Sequence, residues 1–436
     1  MHAALVDRPC SCIRRLGGER KREIQFTRFL RNRSVTAAEM AAFAAQATAG
    51  RVRGREVVAI QDTSELVLGG PGAREQGYGP VGKGGRLGGL LLHPTLAVDA
   101  GTGELIGLVD AQIWNRTGGK PAPRRERKTA DKESQRWLTG AARAGEILAS
   151  AASVTVLADR ESDIYEQFAL HPSHVHLIVR ACQNRRIELD AEEPLDGLLF
   201  SLIDALPEQS RQARMIPGAP GRKAREADLA IRFAPVALCK PQHGTTDDLP
   251  ATATVTCVDV RETRWPKDSD PIHWRLLTTH PVSDPGEAWR IVDLYRRRWL
   301  IEEFFRTLKT AGFDIEAADI GDPQAMMNLV GAATVAAVTI MQLVQARDGT
   351  TSQVVADAFD PTDEPILEAL SANLEGNTAR QKNPHPKGTL AFAAWTIGRL
   401  GGWTGYYGKP GPQVMRRGLH DFRRIKYGAI LGVRNV

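Results

Sequence analysis

Two short apolar runs each lead into an aspartate, and that pairing narrows the fold more than any other feature of the chain. Val57-Val-Ala-Ile60 passes through Gln61 into Asp62, and Val154-Thr-Val-Leu-Ala158 runs straight into Asp159. Apolar runs of this length read as buried strands, the kind found in an open α/β sheet covered by helices. In such sheets reactive groups collect at the carboxyl ends of the strands. Taken singly, either aspartate reads as a turn former or a helix N-cap.

The surrounding pattern supports a mixed α/β architecture. His176–Arg180 is a third strand, and Leu90–Asp99 and Glu104–Trp114 flank an Ala-Gly-Thr-Gly hairpin signal. Helices are expected from about Asp131 to Ser150, from Pro285 to Thr310 and from about 325 to 346. Residues 185–280 read as β-rich, interrupted by loops at Pro217–Arg225 and Pro241–Pro250. Residues 79–89 contain six glycines, but Gly82-Lys83-Gly84 lacks Walker spacing and reads as a flexible connection.

The helix expected at 285–310 separates two kinds of residue. At about 100° per residue, Tyr295, Arg298, Glu302 and Lys309 fall within an arc of roughly 60°. Leu300, Ile301, Phe304, Phe305 and Leu308 occupy a different face, suited to a core. Spacing alone also fits an i,i+4 Arg298–Glu302 pair on a solvated surface. With Asp62 and Asp159, however, Glu302 would complete a set of hard oxygen donors for Mg²⁺. Two such ions about 4 Å apart activate the attacking oxygen and stabilise the leaving one in phosphoryl transfer.

Charge adds a second indication. The first 60 residues hold twelve Lys/Arg against five Asp/Glu, a net of +7, whereas the whole chain carries +6. Basic clusters at Arg14–Arg33, Arg116–Lys128 and Arg211–Arg225 suit either phosphate binding or ordinary solvated surface. Five cysteines are too scattered for a disulfide framework, and Cys10-Ser-Cys12 has no partner pair at zinc-site spacing. Without a charged segment leading into an apolar one at its start, the sequence carries no expectation of a signal peptide. The uncharged stretch Ala325–Val344 reads as a core helix rather than a membrane span, so a cytoplasmic, nucleoid-associated protein is expected.

The string Tyr295-x2-Arg298-x3-Glu302-x6-Lys309 resembles the Y-R-E-K signature of the insertion-sequence-four (transposon-five-like) DDE transposases. Asp62 in Gln-Asp-Thr-Ser and Asp159 in Ala-Asp-Arg-Glu-Ser-Asp-Ile resemble that family's first and second catalytic aspartates. The blocks Asp131–Trp137, Val179-Arg180 and Trp274–Thr278 follow in family order. The resemblance implies an RNase H-like catalytic domain carrying a β-strand insertion, flanked by helical N-terminal and C-terminal regions. The corresponding division is a shortened basic lead-in at 1–56, catalytic segments at 57–184 and 281–347, the insertion at 185–280, and a C-terminal region at 348–436 suited to dimerisation. It further implies two Mg²⁺ or Mn²⁺ ions on Asp62, Asp159 and Glu302, and cut-and-paste cleavage and strand transfer by a homodimer on DNA ends. Tyr295, Arg298, Lys309 and Arg180 carry over as phosphate or hairpin contacts, and Trp274 as the residue that stacks on a flipped base. Only 61 residues precede Asp62, fewer than the family's DNA-binding region occupies. A catalytically impaired remnant that binds DNA or dimerises is therefore the alternative expectation.

Overall fold

The protein's computed structural model describes all residues except 2–3, 6–11, 69–72, 117–131, 189–195, 217–223, 243–247, 267–269, 312, 407 and 434–436. Cys10, Asp131, most of the basic stretch Arg116–Lys128, and the centres of the Pro217–Arg225 and Pro241–Pro250 loops lie outside the described residues. The chain forms two compact units. One comprises Met1–Glu56, Thr63–Gly119 and Leu300–Val436; the other comprises Val57–Asp62 and Lys120–Trp299.

The first unit is built around the helix Pro323–Ala346. It begins where the Asp322 carboxylate accepts from the backbone N–H groups of Gln324 and Ala325, with proline at the first helical position. Its length and hydropathy would allow it to cross a membrane, yet 78% of its most apolar window is buried inside the protein. Its inward polar groups have specific partners. Asn328 Nδ2 donates to the carbonyls of Leu30 and Val35 at 2.9 and 2.8 Å, and Gln342 Nε2 donates to that of Ile106 at 2.9 Å. These bonds offset the cost of burying amides, and they join the helix to the lead-in and to the hairpin.

The lead-in helices are Arg20–Arg31 and Ala37–Arg51, the second opened by a Thr36/Glu39 capping box. A Cβ on Gly331 would lie 2.7 Å from the Ala37 Cβ, so glycine lets helices 37–51 and 323–346 approach closely. The hairpin Leu87–Asp99/Leu105–Trp114 is antiparallel and receives Thr48, whose Oγ1 donates to the Leu108 carbonyl at 2.7 Å.

Residues 79–89 are ordered structure rather than the flexible connection their composition suggests. Gly79–Val81 is a strand paired with Leu87–Gly89, and a 3₁₀ turn lies between. Gly82, Gly84 and Gly85 have φ of 74°, 75° and 66°, which reverses the chain tightly. A Cβ on Gly89 would meet the Leu66 carbonyl oxygen at 2.0 Å. The glycines are here because two backbones approach closely.

The second unit holds a mixed sheet. Its strand order is Glu56–Gln61, Ser153–Ala158, Val175–Arg180, His273–Thr278, Thr252–Arg264, Arg225–Cys239 and Ile187–Glu188, with Ser210–Ile216 also on Arg225–Cys239. Ser153–Ala158 and Val175–Arg180 run parallel, whereas His273–Thr278 pairs antiparallel with Val175–Arg180. The strands of residues 185–280 thus extend this sheet rather than forming one of their own.

Close helix contact recurs at the C-terminus of the first unit. A Cβ on Gly418, in helix Pro412–Val433, would meet the carbonyl oxygen of Ile397 at 1.7 Å, whereas one on Gly428 would meet nothing within 4 Å. Gly418→Ala should therefore cost about 1–3 kcal/mol by overpacking. Gly428→Ala should be neutral or stabilise by up to about 1 kcal/mol through helix propensity. Thermal melts of the two variants check the contrast, and equal melting temperatures would refute the close packing.

Candidate active site

Both aspartates stand where the buried strands of the second unit end. Val57 through Gln61 are buried without interruption, so Asp62 is the first side chain after that strand to reach solvent. Gln61 Nε2 donates to the Trp137 carbonyl at 3.3 Å, near the start of helix Gln135–Ile147. Arg136, one residue before Trp137, pairs with Glu161. The ends of the two neighbouring strands are therefore anchored at the same end of one helix.

Asp159 caps the 3₁₀ turn Arg160–Ser162, its Oδ1 accepting from the Glu161 N–H at 2.9 Å. The N-cap reading of this residue is thus correct, and it coexists with a place at the strand end. The turn is held by Asp163, whose carboxylate is fully buried. It accepts from the backbone N–H groups of Cys182 and Gln183, each at 2.8 Å, and from Arg185 Nε at 2.8 Å.

Four more of the expected residues join these two. Arg298 Nη1 lies 2.9 Å from Asp62 Oδ2, and its guanidinium carbon is 6.0 Å from the centre of the Tyr295 ring. Trp274 meets Tyr295 edge-on at 5.8 Å. Arg180 donates to the His273 carbonyl at 3.0 Å. Tyr295 is buried, and that burial raises its phenol pKa, Asp159 adding to the rise and Arg298 and Arg180 opposing it. The phenol is therefore a hydrogen-bond donor at neutral pH. Burial also lowers the pKa of Arg180, which lies within the field of Tyr295, Arg160, Arg298 and Asp159. A cleft of about 700 Å³ opens beside them, lined among others by Arg180, Trp274, Tyr295, Arg297, Arg298 and Trp299.

Glu302 and Lys309 belong to the first unit. The segment carrying the four signature residues is not the uniform helix that a single angular step assumes. It is α-helical at Pro285–Arg296, 3₁₀ at Arg297–Trp299, α-helical at Leu300–Arg306 and π-helical at Thr307–Ala311. Three residues per turn and i→i+5 bonding break a constant rotation, so the expected 60° stripe does not describe this segment. Glu302 is exposed. Lys309 Nζ donates to the Glu65 carbonyl at 2.5 Å and pairs with Glu316 at 3.2 Å, while Glu316 also accepts from the Val67 N–H at 2.9 Å.

Residues 57–338 match the family model described as the transposase DDE domain. The chain belongs to the DDE transposases. The matched span includes all eight expected site residues of this transposase, while the lead-in helices fall outside it. Among the described residues no group of three or more His, Cys, Asp or Glu is placed to hold a metal ion. The donor chemistry of Asp62 and Asp159, hard carboxylate oxygens at strand ends, does suit a divalent cation such as Mg²⁺. The Arg298 guanidinium pairs with Asp62.

Sequence reasoning missed the group that supports Trp274. Asp259 is fully buried and accepts from His273 Nε2 at 2.8 Å, Arg275 Nε at 3.0 Å and Arg261 Nε at 2.6 Å. His273 and Arg275 flank Trp274, so this carboxylate holds the tryptophan's strand on both sides. A single acid inside the apolar run Val255-Thr-Cys-Val-Asp-Val260 was the available signal, because a buried carboxylate requires partners. Burial alone would raise its pKa, but the hydrogen bonds from His273 and Arg261 outweigh it and hold the carboxyl below its usual range.

With a depressed folded pKa, the stability that Asp259 contributes is present above the unfolded value of about 3.9 and lost as pH falls through the folded value. Asp259→Asn should cost about 3 kcal/mol at neutral pH by leaving buried cations unpaired. It should also flatten the loss of stability below about pH 4. Urea unfolding at pH 3 and pH 7 checks this, and parallel pH dependence in both proteins would refute it.

Proposed function

We propose that this transposase belongs to the insertion-sequence-four, transposon-five-like group and performs metal-dependent cut-and-paste cleavage and strand transfer on DNA ends as a homodimer. The observation that carries the reading is the grouping of Arg180, Trp274, Tyr295 and Arg298 on one basic, aromatic cleft in the second unit, with Asp62 paired to Arg298 and Asp159 within the field of Arg180 and Tyr295. A pair of carboxylates beside several guanidiniums fits a phosphodiester, which needs positive charge along the backbone and acidic groups at the reacting phosphorus. Asp62, Asp159 and Glu302 are the residues that would hold Mg²⁺ or Mn²⁺. The chemistry two such ions supply is activation of the attacking oxygen and stabilisation of the leaving one.

The chain's own groups bind and orient. Arg180 and Arg298 grip phosphates on the cleft wall, and Lys309 is a further phosphate contact. The protonated Tyr295 phenol donates a hydrogen bond to a phosphate oxygen. Trp274, set edge-on against Tyr295 and braced through Asp259, offers a flat apolar face to an unstacked base. Such stacking is worth about 1–3 kcal/mol.

Nicking and joining of end-bearing DNA in Mg²⁺ or Mn²⁺, followed on denaturing gels, tests the reading. Asp62→Asn, Asp159→Asn and Glu302→Gln should each lower cleavage by about 10²–10³-fold or more while DNA binding persists. Trp274→Ala should slow hairpin formation and opening more than the first nick; equal loss at both steps would make it a core residue only. Wild type and Glu302→Gln equally inert on such DNA would replace the enzyme with a DNA-binding remnant.

A further inference from the structure

We propose that Arg298 is the resident counter-ion of Asp62, and that a DNA phosphate draws the guanidinium away, so that DNA binding opens this carboxylate to a divalent cation. The inference rests on the transposase reading above.

The two aspartates are treated unequally. Asp159 accepts a hydrogen bond from the neutral backbone N–H of Glu161 and meets Arg180 through its field rather than in a described ion pair. Asp62 instead faces a full positive charge at 2.9 Å, with the Asp62 and Arg298 side chains only 18% and 15% exposed. In that setting solvent screens the pair weakly. A dication at Asp62 and a guanidinium on the same carboxylate oxygen repel one another. While the ion pair stands, the aspartates present about one negative charge between them in place of two, which is poor provision for Mg²⁺.

Arg298 is also placed to exchange partners. It lines the cleft together with Arg180 and Arg297, the wall along which a nucleic-acid backbone would run. A guanidinium matches carboxylate and phosphate with the same planar fork, so the exchange replaces one charge-assisted contact with another of the same kind. Arg298 lies in the short 3₁₀ segment Arg297–Trp299, where the helical bonding changes on either side. Because binding free energies are linked, whatever removes Arg298 from Asp62 raises cation affinity there, and the cation tightens DNA binding in return. The transposase would thereby hold a weak cation site until a DNA end arrives, which keeps cleavage tied to correct substrate binding.

The test is a calorimetric titration of the full chain with Mn²⁺, alone and with a blunt DNA duplex, after subtracting binding to the duplex itself. Wild type should bind Mn²⁺ about tenfold or more tightly when the duplex is present. Arg298→Ala, and Arg298→Gln as a variant closer in length, should bind Mn²⁺ more tightly than wild type without DNA and gain less from the duplex. Melting curves confirm that each is folded. Arg160→Ala removes an exposed positive charge next to Asp159 without touching the Asp62 pair, and should behave like wild type. Unchanged DNA-free affinity in both Arg298 variants overturns the inference, and so does equal tightening by Arg160→Ala, which would show a general charge effect. Wild-type nicking alongside unchanged Arg298 variants overturns this inference alone. Absence of Mn²⁺ binding in every protein, with no nicking, overturns the metal-dependent reading as well.

Discussion

A carboxylate at or near the end of a buried strand has to be charge-balanced, and the second unit is organised around that requirement. Moving an isolated carboxylate out of water costs several kcal/mol even after relaxation, so each one acquires cationic or N–H partners in proportion to its burial. Asp163 and Asp259 have no exposed side-chain surface and are surrounded, the first by Arg185 and two backbone N–H groups, the second by Arg261, Arg275 and His273. Their partners cannot leave without stranding a buried charge. Asp62 is different. It reaches solvent and pairs with the Arg298 guanidinium, which also lines the cleft. The same electrostatic rule thus yields permanent braces at the buried positions and an exchangeable partner at the open one.

How much was legible in the chain follows the distance over which each feature is determined. The strands entering Asp62 and Asp159 announce themselves locally, because a strand buried on both faces must be apolar throughout. The helix 323–346 does so for the same reason, and its Asn328, Gln342 and Gln345 are among the points where it bonds to neighbouring backbone. What was not legible depends on partners far away in the chain. The lone acid Asp259 in its apolar run signals that partners are needed, but not that they are Arg261 on its own strand and His273 and Arg275 on the adjacent one. The 3₁₀ and π turns within 285–311 leave the apolar pattern of Ile301, Phe304 and Leu308 intact, all three being buried, so periodicity cannot reveal them. The glycines of 79–89 look like slack when only composition is weighed. They become constraints once the neighbouring strand's carbonyl at Leu66 is in place.

The lead-in changes meaning in the same way. It precedes the matched family span, and by charge it resembles a detachable basic arm. Yet Leu30 and Val35 carbonyls receive the buried amide of Asn328, Ala37 occupies the space left by Gly331, and Thr48 bonds the hairpin at Leu108. Removing these residues would strip partners from the core helix, so the segment belongs to the first unit's core. Its charges meanwhile point outward: Lys21, Arg22, Arg28 and Arg31 are exposed on helix Arg20–Arg31, while Leu30 is buried. A basic face carried on an anchored helix loses less entropy on meeting a polyanion than the same residues on a loose tail would. The positive charge of helix Arg20–Arg31 is therefore a surface held in position by the same packing that stabilises the unit.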